Sequence, residues 1–204
     1  MPRIKAASIE EHKELVHRLA LHAARELFRQ KGYQHTSLGE VAAAIGVGRT
    51  TLYQYFSDKE DLLVVLVEES LPEAIEEMVG GLPPGLSNRE ALGELAVRMM
   101  EFVATDSNLG TILMREVPRL SQGAQARVRE AHARLIDELA AVYEAGVAEG
   151  EFRPMPLELA HRFMHELIMS SARVLLGSEE PKQHLHEVAD GLVGVLLHGF
   201  GAAG

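Results

Sequence analysis

The sequence predicts an all-α protein, on three observations. Apolar residues recur at three- and four-residue spacing over long segments, and clusters of glycine and proline separate those segments. No stretch alternates apolar and polar side chains as a half-buried strand would. The expected architecture is a small N-terminal domain of three helices followed by an antiparallel helical bundle, about nine helices in all.

Each element has its own signal. Leu15, Val16, Leu19, Ala20, Ala23, Ala24, Leu27 and Phe28 form one stripe of a first helix, and Gly32 supplies a left-handed stop behind Lys31. Ser37-Leu38-Gly39-Glu40 is a capping box: the Ser37 hydroxyl accepts from the helix start and Glu40 reaches back. A short helix runs from there to about Ala44. Gly46 and Gly48 bracket a turn, and Arg49 to Phe56 form a third helix. Ser57-Asp58-Lys59-Glu60 reads as a second capping box, opening a longer helix from Asp58 to about Val79. Gly80-Gly81-Leu82-Pro83-Pro84-Gly85 ends it. Further helices are expected at about 88–106, 108–119, 121–149, 156–176 and 183–199. Pro118, Gly150 with Pro154 and Pro156, and Gly177 to Pro181 separate them. The chain then falls into residues 1–57, a linking helix 58–79 and a C-terminal part 80–204.

Charge sharpens that division. The 204 residues hold 20 basic and 30 acidic side chains, net −10, which taken whole argues against a polyanionic partner. The first 60 residues, however, carry 9 basic and 7 acidic side chains, net +2. The remainder carries 11 and 23, net −12. Two parts with different partners are implied. The absence of cysteine excludes disulfides, thiolate zinc sites and a thiol nucleophile. The start, MPRIKAASIEEHKEL, has no apolar core of a signal peptide, and the longest apolar run, Leu62 to Val67, is far below the roughly 18 residues that span a bilayer. A soluble cytoplasmic protein without a membrane partner is expected.

Residues 37–56 carry the chemistry. Two short helices joined by a tight turn at Gly46 are the helix-turn-helix arrangement. Val41, Ala42, Leu52 and Phe56 give both helices an apolar contact with the first helix. The second can then lie in the major groove with its N-terminal residues against base edges. Arg49 suits guanine, Gln54 suits adenine, and Thr50 and Thr51 suit base edges or a thymine methyl. The hydroxyls of Tyr53 and Tyr55, and Lys59 beside the next helix start, suit phosphate oxygens. Thr36 and Ser37 complete the expected DNA-contacting set.

These residues also carry a resemblance. Thr36 to Ala42, Gly46-Val47-Gly48-Arg49-Thr50-Thr51-Leu52-Tyr53-Gln54-Tyr55-Phe56 and Lys59-Glu60-Asp61-Leu62 resemble the N-terminal domain of the TetR family of bacterial transcriptional repressors, over roughly residues 15–65. Three positions depart from the family pattern. Gly48 stands where Ser is usual, Thr50 where Gly is frequent, and Tyr55 where His is frequent. The resemblance implies a homodimer on a pseudo-palindromic double-stranded operator, a C-terminal domain for a small-molecule inducer, and dimerisation through helices 156–176 and 183–199.

An inducer contact set is expected among the C-terminal methionines, aromatics and their polar neighbours: Met99, Phe102, Val103, Met114, Arg119, His132, Phe163 and Leu167. The same spacing equally describes plain core. His161 and His165 lie one helical turn apart, as in a two-ligand metal site. With no cysteine and no acid in ligand register beside them, packing is expected instead, and no metal or cofactor. No nucleophile–base pair, phosphate loop or HExxH motif supports an enzyme. A non-specific architectural DNA binder is disfavoured by the net charge and the lack of basic runs.

Overall fold

The computed structural model describes residues 9–105 and 107–200. Among them are ten α-helices and no strand: α1 Ile9–Lys31, α2 Leu38–Ile45, α3 Arg49–Leu52, α4 Lys59–Gly80, α5 Asn88–Thr105, α6 Ser107–Thr111, α7 Gln122–Ala131, α8 Ala133–Ala148, α9 Leu157–Gly177 and α10 Pro181–Phe200. The all-α expectation holds. The chain gathers into two compact units. Of the described residues, one takes those up to Ser70 together with Arg119–Val128; the other takes those of Leu71–Pro118 and from Arg129 to Phe200.

In the first unit, Val16, Ala20, Ala24 and Phe28 repeat every four residues and are buried, so one face of α1 meets Leu38, Val41 and Ala42 of α2. Leu52 and Phe56 join that core, as do Leu62, Leu63, Leu66 and Val67 of α4. Leu19, assigned to the stripe from its spacing, stays 36% exposed. His17 rests on Phe56 with ring centroids 5.2 Å apart and bonds Glu69 at 2.7 Å, tying α1 to α4.

In the second unit α5 is the central helix, packed by α6, α8, α9 and α10. Its N-terminus closes with Ser87 and Glu90: the Ser87 amide donates to Glu90 Oε2 at 2.8 Å, and the Glu90 amide to Ser87 Oγ at 3.3 Å. Glu151 caps the same end, accepting the Arg89 amide at 2.8 Å. The strap after α8 is pinned by aromatics. Phe152, 1% exposed, stacks on Tyr143 at 5.9 Å, and Tyr143 meets the edge of Phe200 at 6.1 Å. The Tyr143 hydroxyl donates to the Arg153 carbonyl and accepts the Met155 amide, both at 3.0 Å. A β-carbon at Gly146 would run into the Phe152 ring, so the packing requires glycine there.

Four local expectations need correction. The third helix ends at Leu52 rather than Phe56. After it, Gln54 and Tyr55 donate three residues back, to Thr51 and Leu52, while Phe56 returns to Leu52 at 3.1 Å. That tightening keeps Leu52 and Phe56 on the buried side. The second capping box is displaced by one residue. Asp58 caps by accepting the Asp61 amide at 2.8 Å, Asp61 accepts the Ser57 amide at 3.0 Å, and Glu60 turns to Ser121. Because the helix starts at Lys59, Asp61 and not Glu60 occupies the third position. Residues 108–119 are not one α-helix: a π turn, Ile112–Glu116, and a 3-10 turn, Val117–Arg119, follow α6. Pro118 cannot donate to residue 114, and its ring presses on that carbonyl, which disrupts the α register there. The long helix 121–149 breaks at His132, whose amide bonds Arg129 three residues back at 3.1 Å.

Candidate nucleic-acid interface

The reading segment is aimed by its turn. Gly46 has φ +74° and ends α2 in a left-handed cap, with its amide on Ala43 and the Val47 amide on Ala42 at 3.0 Å. A side chain would be strained at that φ. Two residues later α3 begins, with Gly48 extended and offering no side-chain cap. Arg49, Thr50, Tyr53 and Gln54 are exposed, and Thr51 and Tyr55 are half-buried. The bases and phosphates of a duplex would meet this side of the segment, because Leu52 and Phe56 anchor the opposite side.

Arg49 is held rather than loose. Its Nη2 donates to the Tyr53 hydroxyl at 3.1 Å, and its guanidinium carbon stands 5.6 Å from the Tyr53 ring centre. Its aliphatic stem passes beside Gly39 of α2, where a β-carbon would be 3.8 Å from Arg49 Cδ. Gly39 and Tyr53 thus frame the residue best suited to guanine.

The other predicted contacts are placed differently. Thr36 is 3% exposed, and its hydroxyl donates to the Gly32 carbonyl at 3.0 Å. The Ser37 hydroxyl belongs to the α2 capping box, donating to Glu40 Oε2 at 2.8 Å. Lys59 donates to the Tyr33 carbonyl at 2.9 Å and the Gln34 carbonyl at 3.2 Å, with its ammonium 4.3 Å from the Tyr33 ring centre. These three side chains hold the α1–α2 turn against the start of α4. No spacing in the sequence marks Tyr33 and Gln34 as partners of Lys59, or Gly39 as the neighbour of Arg49. Glu40 would place a negative charge near the reading face. Lys31 first, then the Ser37 hydroxyl and amide, hold its carboxyl at about 2, so the charge is matched on the protein itself.

This geometry is that of a known family. Residues 20–66 match the model of the bacterial regulatory proteins of the tetR family, and residues 85–173 match the tetracyclin repressor-like C-terminal domain. The chain belongs to the TetR family. It is a DNA-binding transcriptional regulator with a helix-turn-helix reading part. The transcriptional repressor KstR2 of Rhodococcus jostii is 27% identical over 184 residues, covering 84% of this chain and 88% of the relative. The fold is similar to the transcriptional regulator FadR from Bacillus subtilis, solved in complex with stearoyl-CoA. That likeness has a TM-score of 0.77 at 21% identity, over 90% of this chain and 98% of that one. It is also similar to AibR, solved with isovaleryl coenzyme A and operator DNA, with a TM-score of 0.69 at 22% identity over 89% and 98% of the two chains.

The expected inducer residues are spread over several elements. Met99, Phe102 and Val103 are half-buried on α5, Met114 lies in the π turn and His132 at the α7–α8 break. Phe163 and Leu167 line a cleft of about 490 Å³ along α9 and α10, together with Met155, Val195 and the arginines Arg153 and Arg173. Arg119 is exposed and belongs to the first unit. His161 Nε2 is buried with no hydrogen-bond partner, whereas His165 is exposed and 3.5 Å from Glu166. Among the described residues no group of three or more histidines or carboxylates suits a metal ion, and no helix is long and apolar enough to cross a membrane.

Proposed function

We propose that the chain is a homodimeric repressor that binds a pseudo-palindromic operator and leaves it when a coenzyme A thioester binds its helical domain. The observation that carries the repressor reading is the exposed Arg49–Thr50–Tyr53–Gln54 face on a helix-turn-helix anchored by Leu52 and Phe56. Residues 1–57 then act as the DNA-binding part, 58–79 as the linking helix and 80–204 as the inducer and dimer part. The acyl-CoA class is supported by the ligands of FadR and AibR, and by half-buried Met99, Phe102 and Met114, whose flexible apolar side chains suit an acyl chain. The dimer is supported by α9 and α10, which leave Leu159, Phe163, Val174 and Val195 between 41% and 62% exposed. A second copy laying its own α9 and α10 on this face would remove them from water. An operator-binding protein of this kind works in the cytoplasm.

The test is direct. Genomic fragments captured by the protein supply an operator, and sedimentation gives the stoichiometry: two chains per half-site pair are expected. Stearoyl-CoA and isovaleryl-CoA are then titrated against the complex. Operator affinity that neither thioester changes would sink the acyl-CoA reading, and equal affinity for random duplex would sink the repressor reading.

A further inference from the structure

Arg127 stands on α7 and reaches three carboxylate oxygens of α4. Its Nε donates to Glu68 Oε1 at 2.8 Å, Nη2 to Glu68 Oε2 at 2.6 Å and Nη1 to Asp61 Oδ1 at 2.8 Å. The Glu68 pair is a bidentate fork, a geometry that lysine cannot copy. Asp61 extends the connection. Its second oxygen accepts the Ser57 amide at 3.0 Å and the Ser57 hydroxyl at 3.3 Å, and Ser57 directly follows Phe56, which closes the recognition turn. Ser121, just before α7, makes a parallel tie through its amide to Glu60 at 3.0 Å.

Electrostatics favour the same arrangement. Burial raises the Asp61 carboxyl, but Arg127 and the Ser57 amide outweigh it and leave the group below its ordinary value. The Arg127 guanidinium is shifted upward, by Glu68 first and Asp61 second.

Three features of the chain give the clamp a purpose. Helix α7 begins in the first unit and runs past Val128 to Ala131, which belongs to the second. Helix α4 also passes between the units, at Ser70–Leu71, but it carries Pro72 there. A proline at that position has no amide to offer the Glu68 carbonyl, so α4 is weakened one turn beyond the clamp. The stretch before Ser121 is the π and 3-10 segment, whose hydrogen-bond register differs from that of the helices on either side.

We propose that Arg127 is a positioning residue that makes the first half of α4, and through Asp61 and Ser57 the recognition turn, follow helix α7. Its use in inducer release rests on the reading under Proposed function; the clamp itself does not. An ion pair that only stabilised the fold would lower the melting temperature and leave communication along α7 intact.

Hydrogen exchange on the full chain separates the two roles, with and without an operator duplex captured by the wild-type protein. Operator binding is expected to slow exchange in residues 129–140 of the wild type. In Arg127→Gln, and in the milder Glu68→Gln, that protection should fall about fivefold or more while operator affinity stays within about threefold. The double variant should lose no more than Arg127→Gln alone, because that substitution already removes the Glu68 contact along with the Asp61 one. Protection of 129–140 that is absent from the wild type, that survives both variants, or whose losses add in the double variant overturns the proposal. In a second arm, the factor by which stearoyl-CoA weakens operator binding should shrink about fivefold or more in Arg127→Gln; an unchanged factor also overturns it. A wild-type chain that ignores stearoyl-CoA counts against the inducer reading alone, and the exchange measurement still decides the clamp.

Discussion

The two compact units hold their helices by different means. In the first, polar groups at fixed spacing do much of the positioning: Ser37 with Glu40, Asp58 with Asp61, Lys59 on two carbonyls and Arg127 on two carboxylates. Each sets one angle or one helix start. In the second, such polar ties gather at the start of α5 and at Tyr143, and between them buried side chains such as Leu92, Leu95, Met100, Ile168 and Leu196 make up the core. A site built on directional polar contacts leaves a motif in the sequence, because hydrogen bonds tolerate few substitutions of type or spacing. Apolar packing leaves only a periodicity, which many residue types satisfy.

The largest effect should come from breaking the packed unit. Phe152→Ala removes a ring that is 1% exposed and stacked on Tyr143. It should cost about 3–5 kcal/mol, or roughly 6–20 °C in melting temperature, read by calorimetry. Gly146→Ala should act in the same direction by about 1–3 kcal/mol, because its methyl displaces that ring. A cost below about 1 kcal/mol for Phe152→Ala would show that the strap is not part of the core and weaken the contrast between the units.

Next comes the reading face. Arg49 is exposed and its guanidinium bonds Tyr53 within its own segment, so Arg49→Ala should leave the melting temperature almost unchanged. Operator binding should weaken by about 1–3 kcal/mol, with the loss concentrated at one base pair. Binding measured against a panel of single-base operator variants checks it. A variant that melts early, or loses affinity uniformly across the panel, would make Arg49 part of the frame or a phosphate contact instead.

That contrast also explains what was legible. The helix-turn-helix could be read because Gly46, the Ser37–Glu40 box and the Leu52/Phe56 pair are local and tightly spaced. Register errors arose where two candidates were adjacent, as with Glu60 and Asp61, since a capping box moves with the first helical residue and the sequence does not say which that is. The roles of Thr36 and Lys59 were hidden for another reason. Their partners are backbone carbonyls, at Gly32 and at Tyr33 and Gln34, and a carbonyl has no residue type to recognise. Arg127 was invisible because its partners lie about sixty residues away along the chain. In the helical domain the heptad-like pattern gave the elements but not the break at His132, which no glycine or proline marks.

Acid should act on both units with one sign. Glu40 is held at about 2, against an ordinary 4.5, by Lys31 first and Ser37 next. A carboxyl lowered in the folded state contributes stability that is complete above about pH 4.5 and is lost as the pH falls toward 2. Unfolding free energy followed down that window should therefore fall less steeply in Glu40→Gln than in the wild type. Lys31→Ala should shift the loss to higher pH. Glu151, lowered chiefly by the Arg89 amide, supplies the same sign in the second unit, so Glu151→Gln should flatten the limb as well. Equal acid limbs in all four proteins would mean that neither carboxyl is held as the geometry requires.

The smallest effect tests the start of α3, which lacks the polar cap found at α2 and α4. Gly48 precedes α3 with φ −69° and ψ 145°, a conformation open to any residue, and no side chain caps the helix. A β-carbon there would meet Thr51 Oγ1 at 3.6 Å, an ordinary contact, so Gly48→Ser fits without displacement. The new hydroxyl would face the Thr51 amide, which now bonds only the Gly48 carbonyl at 2.9 Å. The cap should add a few tenths of a kcal/mol, and the stiffer unfolded chain about 0.4–1 kcal/mol more. A rise of roughly 1–6 °C in melting temperature is expected. Because Arg49 begins the helix that the serine would cap, operator binding should hold or improve slightly. A rise in stability with a loss of operator affinity would show that α3 must loosen to seat Arg49 on its base, and that glycine is there for that movement.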